Sequence, residues 1–102
     1  MKLSEEILEV YEKLLRSKGE EGLYRHAIGA GMIRATKTKM PELEILDTAD
    51  AFFQLYRRTG EEQHFIIGKT LRRAAHKLYR ELFKMNANKN INSRFLNVIK
   101  CR

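Results

Sequence analysis

Hydrophobic residues recur every three or four positions in four stretches of this chain, a spacing that predicts helices. The clearest stretch extends from Gly60 to Met85. At about 100° per residue, its apolar and basic residues fall on opposite sides, the basic ones within an arc of about 140°. The apolar side comprises Ile67, Leu71, Ala74, Leu78, Leu82 and Met85. This amphipathic helix is the element around which we expect the rest of the chain to pack.

Local signals predict three further helices before it. Ser4 is a good N-cap, followed by two glutamates in the first turn, and Gly19 is a natural helix end. Pro41 suits the first turn of a third helix, whose aromatic stripe makes it the candidate for the centre of the core and which stops at Gly60. The predicted helices are residues 5–18, 20–38, 41–59 and 61–85.

The two halves of the chain resemble each other. Residues 14–37 align with residues 55–77, and both contain a Gly-Glu-Glu corner at which glycine takes a left-handed conformation. The predicted fold is therefore all-α, a four-helix bundle built from two similar antiparallel helical hairpins. Common turn chemistry is the alternative explanation of half of the matches.

Length and composition favour one folded domain. The chain has 102 residues, 43% hydrophobic and 32% charged, and we expect a bundle domain over residues 1–85 with a short basic C-terminal tail, residues 86–102. The tail holds five asparagines and no good cap, which favours a loose segment. No apolar run approaches the roughly 18 residues that a membrane helix needs. The acidic N-terminus is unlike a secretory signal and Cys101 is the only cysteine, so a cytoplasmic location is expected.

Charge is distributed unevenly along the chain. The formal net charge is +7, and it comes from the C-terminal part: residues 1–56 carry 8 basic and 10 acidic residues, whereas residues 57–102 carry 12 and 3. A basic half indicates an anionic partner, either nucleic acid or an acidic protein surface. The alternative is a solvated surface that only keeps the protein soluble.

These observations lead to two hypotheses about function. The first is a small basic binding module that contacts nucleic-acid backbone phosphates through the cationic face of the helix over 61–85. The second is a protein–protein interaction module or small subunit of a larger assembly, including a homo-oligomer, which the apolar flank of Phe65, Ile66, Tyr79 and Phe83 favours. The predicted nucleic-acid-binding residues are Lys69, Arg72, Arg73, Lys77, Arg80 and Lys84.

No catalytic, metal or cofactor site is predicted. The chain shows no nucleophile–base pair, so we expect a protein without enzymatic activity. Glu61 and His64 have the i, i+3 spacing of carboxylate-bridged dimetal bundles, but such a site needs that pair twice and two further glutamates. A metal site is therefore not expected.

Overall fold

The structure, a computed structural model, describes the backbone of residues 3–101 and the side chains of residues 3–85. This part of the chain contains helices and no strand, so the all-α prediction is confirmed. The helices are α1 (Glu5–Arg34), α2 (Pro41–Thr59) and α3 (Glu62–Cys101). Three helices therefore stand where a four-helix bundle of two hairpins was expected.

The difference lies at Gly19. Ser4 caps α1 as predicted, because its hydroxyl accepts a hydrogen bond from the Ile7 N–H at 3.2 Å. Gly19 interrupts the helical conformation, as predicted, because it takes φ 71° and ψ −176°, but helix resumes directly after it, so α1 consists of two helical segments that meet at a kink. Tyr11 and Gly31 line one surface pocket, so α1 bends back on itself at the kink. One residue with positive φ thus separates two helical segments of α1 and changes the direction of the chain between them.

Gly60 does end a helix, as predicted. It takes φ 72° and ψ 4°, and its N–H donates to the Tyr56 carbonyl at 2.7 Å, which closes the C-terminus of α2. The corners at Gly19 and Gly60 share the left-handed φ but differ in ψ by about half a turn, so the chain leaves them in different directions. The predicted equivalence of the two corners is wrong.

Two predicted helix ends also differ from the structure. The second predicted helix stops at Arg34, not Thr38, and a turn over residues 35–37 follows. At the other end of the chain, α3 continues to Cys101, so the backbone of the expected loose segment is helical through residue 101. Asparagine costs less than about 1 kcal/mol in a helix, and no glycine or proline follows Gly68 to interrupt it.

The core lies where α3 packs against α1 and α2, which contact each other much less. Phe52 of α2 is fully buried, as expected from the aromatic stripe of that helix. Met85, assigned to the apolar face of α3, is 53% exposed because it lies beyond the end of the core. The buried core cluster comprises Leu23, Ala27, Ala49, Phe52, Ile67, Leu71 and Ala74.

A glycine in α1 lets α3 approach closely. An added Cβ at Gly31 would lie 2.3 Å from Leu78 Cδ2 and 3.1 Å from Ile45 Cδ1. Leu78 is fully buried, so it fits against α1 only because Gly31 has no side chain. This contact fixes the rotation of α3, and with it the face that α3 turns to solvent.

Candidate nucleic-acid interface

The exposed side of α3 carries the predicted basic residues. Ile67, Leu71, Ala74 and Leu78 are fully buried on the opposite side. Because these apolar side chains hold α3 against the core, the basic side chains point away from it. Lys77 is half-buried, and the other five predicted residues are exposed: Lys69, Arg72, Arg73, Arg80 and Lys84.

Two of these residues contact acids of α1. Lys69 Nζ lies 3.8 Å from Glu20 Oε1, and Arg73 Nη2 lies 3.5 Å from Glu21 Oε2. The Arg73 guanidinium also lies over the Tyr24 ring, 4.3 Å from its centroid. The sequence predicts only that these glutamates follow the glycine of a helix corner. Their pairing with α3 depends on the packing of distant helices and has no local signal.

A third basic residue pairs within α3. Lys77 Nζ lies 3.0 Å from Glu81 Oε1, and this hydrogen bond and charge, with smaller effects of Lys84 and Arg80, lower the pKa of Glu81 below its ordinary value. Glu81 therefore remains a carboxylate and offsets the charge of Lys77. Arg72, Arg80 and Lys84 form no ion pair with any side chain of residues 3–85.

Exposed aromatic side chains share this surface. They lie at the two ends of one helical row whose middle is basic, spaced i, i+4, i+7, i+11, i+14 and i+18, which spans about 27 Å at 1.5 Å per residue. The exposed fractions of Phe65, Tyr79 and Phe83 are 41%, 53% and 63%. We call this row the aromatic–basic stripe; it consists of Phe65, Lys69, Arg72, His76, Tyr79 and Phe83.

Each end of the stripe presents rings. Tyr79 and Phe83 stack with centroids 6.4 Å apart and planes 26° apart. At the other end, Phe65 contacts Phe53 and Tyr56 of α2, with ring centroids 5.8 Å and 5.3 Å apart. These three rings border a groove of about 590 Å³ between α2 and α3 that is also lined by Asp50, Gln54, Arg57, Lys69 and Arg72.

A second row lies directly beside the stripe. Arg73, Lys77, Arg80 and Lys84 follow one another at i, i+4, i+7 and i+11, and we call them the cationic row. An aromatic ring offers a stacking surface to a nucleic-acid base, whereas a guanidinium or ammonium group neutralises a phosphate. The two adjacent rows therefore place aromatic rings and cations side by side on one surface of α3. The sequence predicted the basic residues as binding residues but the aromatic ones only as an apolar flank.

A separate cluster lies where α1 meets the start of α3. Single donor atoms of Glu12, Glu61 and His64 lie within 4.8 Å of one another. The spacing of Glu61 and His64 was noted in the sequence, but Glu12 was missed because it is about fifty residues away and only the packing of α1 brings it there.

Comparison with protein-family models, with curated proteins and with solved structures found no match. Within residues 3–101, no helix has the length and apolarity required to cross a membrane.

Proposed function

We propose that this protein is a small binding module for single-stranded nucleic acid, with α3 as the binding element and without enzymatic activity. The observation that carries the proposal is the aromatic–basic stripe beside the cationic row, both on the solvent side of a helix whose opposite side is fully buried. Bases stack on Phe65, Tyr79 and Phe83, while the basic side chains contact phosphates. The unpaired cations Arg72 and Arg80 provide the first of these phosphate contacts.

The ion pairs to α1 do not prevent this binding. The Lys69–Glu20 and Arg73–Glu21 contacts are long, at 3.8 Å and 3.5 Å, and both members of each pair are more than half exposed. Pairs of this kind contribute only about 0–1 kcal/mol. A chain of phosphates therefore competes for Lys69 and Arg73 at low cost, and releases counterions as it binds.

The first test is a charge reversal at the three unpaired cations, Arg72→Glu, Arg80→Glu and Lys84→Glu. Fluorescence anisotropy of a labelled single strand, measured over a range of salt, should show strong loss of affinity. The slope of log affinity against log salt should fall by about two units, since each single-strand phosphate contact contributes about 0.7. The matched control reverses three exposed cations of α1, Lys13, Arg16 and Lys18, and changes the net charge equally.

Reversal of the α1 cations should leave most of the slope intact if α3 is the binding element. Equal losses in the two variants would show that only overall charge matters and would contradict the proposal. Circular dichroism checks that all variants remain helical. An unmodified protein that binds neither single strands nor duplex at low salt would refute nucleic-acid binding altogether.

A second variant tests the aromatic contacts separately. Tyr79→Ala with Phe83→Ala should weaken single-strand binding at least tenfold, because base stacking contributes about 1–3 kcal/mol per base. The salt slope should not change, since no phosphate contact is removed. Ile33→Ala with Leu43→Ala removes two exposed apolar side chains outside the stripe and should have no effect. Equal affinity of the Tyr79/Phe83 variant and the unmodified protein would exclude stacking.

The second candidate function is binding of an acidic protein surface. The stacked and exposed pair Tyr79 and Phe83 favours it, because large apolar side chains beside cations also suit a protein interface. This candidate takes precedence if nucleic acid fails to bind and the unmodified protein forms a complex with a polypeptide that the charge-reversed variant does not form.

A further inference from the structure

The cluster of Glu12, Glu61 and His64 lies where α1 meets the start of α3. Glu12 belongs to α1, His64 lies in the first turn of α3, and Glu61 lies directly before that helix. His64 Nε2 lies 3.0 Å from Glu61 Oε2, and His64 Nδ1 lies 3.7 Å from Glu12 Oε1. The two ring nitrogens thus face two different carboxylates.

Nδ1 of His64 is a buried polar atom whose hydrogen bonding is not satisfied within residues 3–85. The residue is only 3% exposed, and Nδ1 is buried without a hydrogen-bond partner among the described residues. In a neutral imidazole one nitrogen donates and the other carries a lone pair. With the proton on Nε2, which lies 3.0 Å from Glu61 Oε2, the lone pair of Nδ1 lies opposite the carboxylate of Glu12. Two lone pairs repel each other across a buried contact unless a positive charge lies between them.

Gln63 shows that the two carboxylates converge on one point. Its Nε2 donates to Glu12 Oε1 at 3.2 Å and to Glu61 Oε2 at 3.1 Å. One donor atom therefore lies between two carboxylate oxygens from different parts of the chain. Gln63 is half-buried, and its side chain is long enough to rotate away when a stronger electrophile takes this position.

We propose that Glu12, Glu61 and His64 bind one divalent transition-metal ion such as Zn²⁺, Co²⁺ or Mn²⁺. One imidazole nitrogen and two carboxylate oxygens form a donor set that suits these ions. Ligands at about 2.1 Å from a tetrahedral metal lie about 3.4 Å from one another. The donor atoms here lie within 4.8 Å, so a movement of about 1.4 Å brings them into range. Glu61 makes this movement, because its side chain is 58% exposed.

The bound ion has a structural role. It links α1 to the corner between α2 and α3, two parts of the chain held together in this region mainly by apolar packing around Tyr11 and Phe52. Solvent reaches the site past Glu61, which provides an entry path. Water fills the coordination positions that the three side chains leave open.

Isothermal titration calorimetry with Zn²⁺ at pH 7.5 tests the site, with absorption of the Co²⁺ complex as a second readout. The unmodified protein should bind one equivalent, and saturating metal should raise the midpoint of thermal unfolding by at least about 5 °C. Glu12→Gln and Glu61→Gln should each weaken affinity at least tenfold. Glu62→Gln removes an adjacent exposed acid outside the cluster and should leave affinity unchanged.

The exposed histidines provide the remaining control. His26→Gln with His76→Gln should preserve both the stoichiometry and the thermal shift, because these residues lie on the surface outside the cluster. Loss of binding in that variant, or no saturable binding by the unmodified protein, would overturn the proposal. Affinity that is unchanged in both Glu12→Gln and Glu61→Gln would overturn it too.

Discussion

Replacing Gly31 by alanine tests the contact that sets the rotation of α3. The added Cβ would lie 2.3 Å from Leu78 Cδ2, closer than nonbonded carbons can approach. Gly29 provides a matched control in the same helix, two residues earlier: it is exposed, and a Cβ there meets nothing within 4 Å. Both substitutions exchange glycine for alanine in a helix, so the difference between their effects on the free energy of unfolding isolates the steric effect.

The expected magnitudes follow from these environments. Gly29→Ala should raise the free energy of unfolding by about 0.5–1 kcal/mol, because alanine restricts the unfolded chain and favours the helix. Gly31→Ala has the same gain, but it must displace the buried side chain of Leu78, and overpacking of a core costs about 1–3 kcal/mol. A net loss of about 0.5–2 kcal/mol is therefore expected, so the two variants should differ by about 1–3 kcal/mol.

Urea denaturation followed by circular dichroism at 222 nm measures both values. Leu78→Ala alone should cost about 2–5 kcal/mol, since it opens a cavity. In the double variant with Gly31→Ala the overpacking disappears, so the two losses should not add. Equal stabilisation by Gly29→Ala and Gly31→Ala would refute the close approach of Leu78 to α1, and additive losses in the double variant would refute it independently.

Two further predictions concern ionisable side chains: one the ion pairs between α1 and α3, the other the partly buried Tyr11. Glu20→Gln with Glu21→Gln should free Lys69 and Arg73 and raise the affinity for single-stranded nucleic acid severalfold at low salt, which anisotropy measures. Burial raises the pKa of Tyr11 above its ordinary value. The neutral, partly buried Tyr11 side chain therefore stabilises the folded state fully below the unfolded pKa of about 10, and this stabilisation is lost as pH rises through the higher folded pKa. Spectrophotometric titration of tyrosinate detects this transition.

Each of these predictions has its own control. Glu5→Gln with Glu6→Gln changes the net charge as much as the Glu20/Glu21 variant does, but at acids that form no ion pair with any side chain of residues 3–85. It should raise affinity less, and an equal effect would mean that Lys69 and Arg73 are not restrained by their partners. Tyr11→Phe should remove a tyrosine transition that lies above the ordinary tyrosine pKa, and a titration curve unchanged in this variant would contradict the assignment.

Local signals accounted for most of the helix positions. Ser4, Pro41 and Gly60 act through their own backbone geometry and nearest neighbours, so their positions marked helix ends correctly. Gly19 carries the same signal as Gly60 and also interrupts the helical conformation, but its ψ differs from that of Gly60, so helix resumes directly after it in another direction. The backbone ψ decides between these outcomes, and the residue type does not specify ψ once glycine allows both values. The internal resemblance of the two halves failed at this point for the same reason.

The candidate sites were predicted less completely than the helices. The basic residues of α3 were found because a helical projection needs only the 3.6-residue period. Their partial neutralisation by Glu20 and Glu21 was not found, because it depends on how α1 packs beside α3. Glu12 was missed for the same reason, since no sequence spacing connects it to His64.

The sequence by itself determined that this protein is helical, where two of its helices begin or end, and that α3 has opposite apolar and cationic sides. Each of these properties depends on residues within a few positions of one another. The tertiary structure alone decided how α1 bends at Gly19, which cations of α3 are paired, and that two glutamates meet at His64. These properties depend on contacts across tens of residues, which arise only when Leu78 and the other core side chains dock the helices in one arrangement.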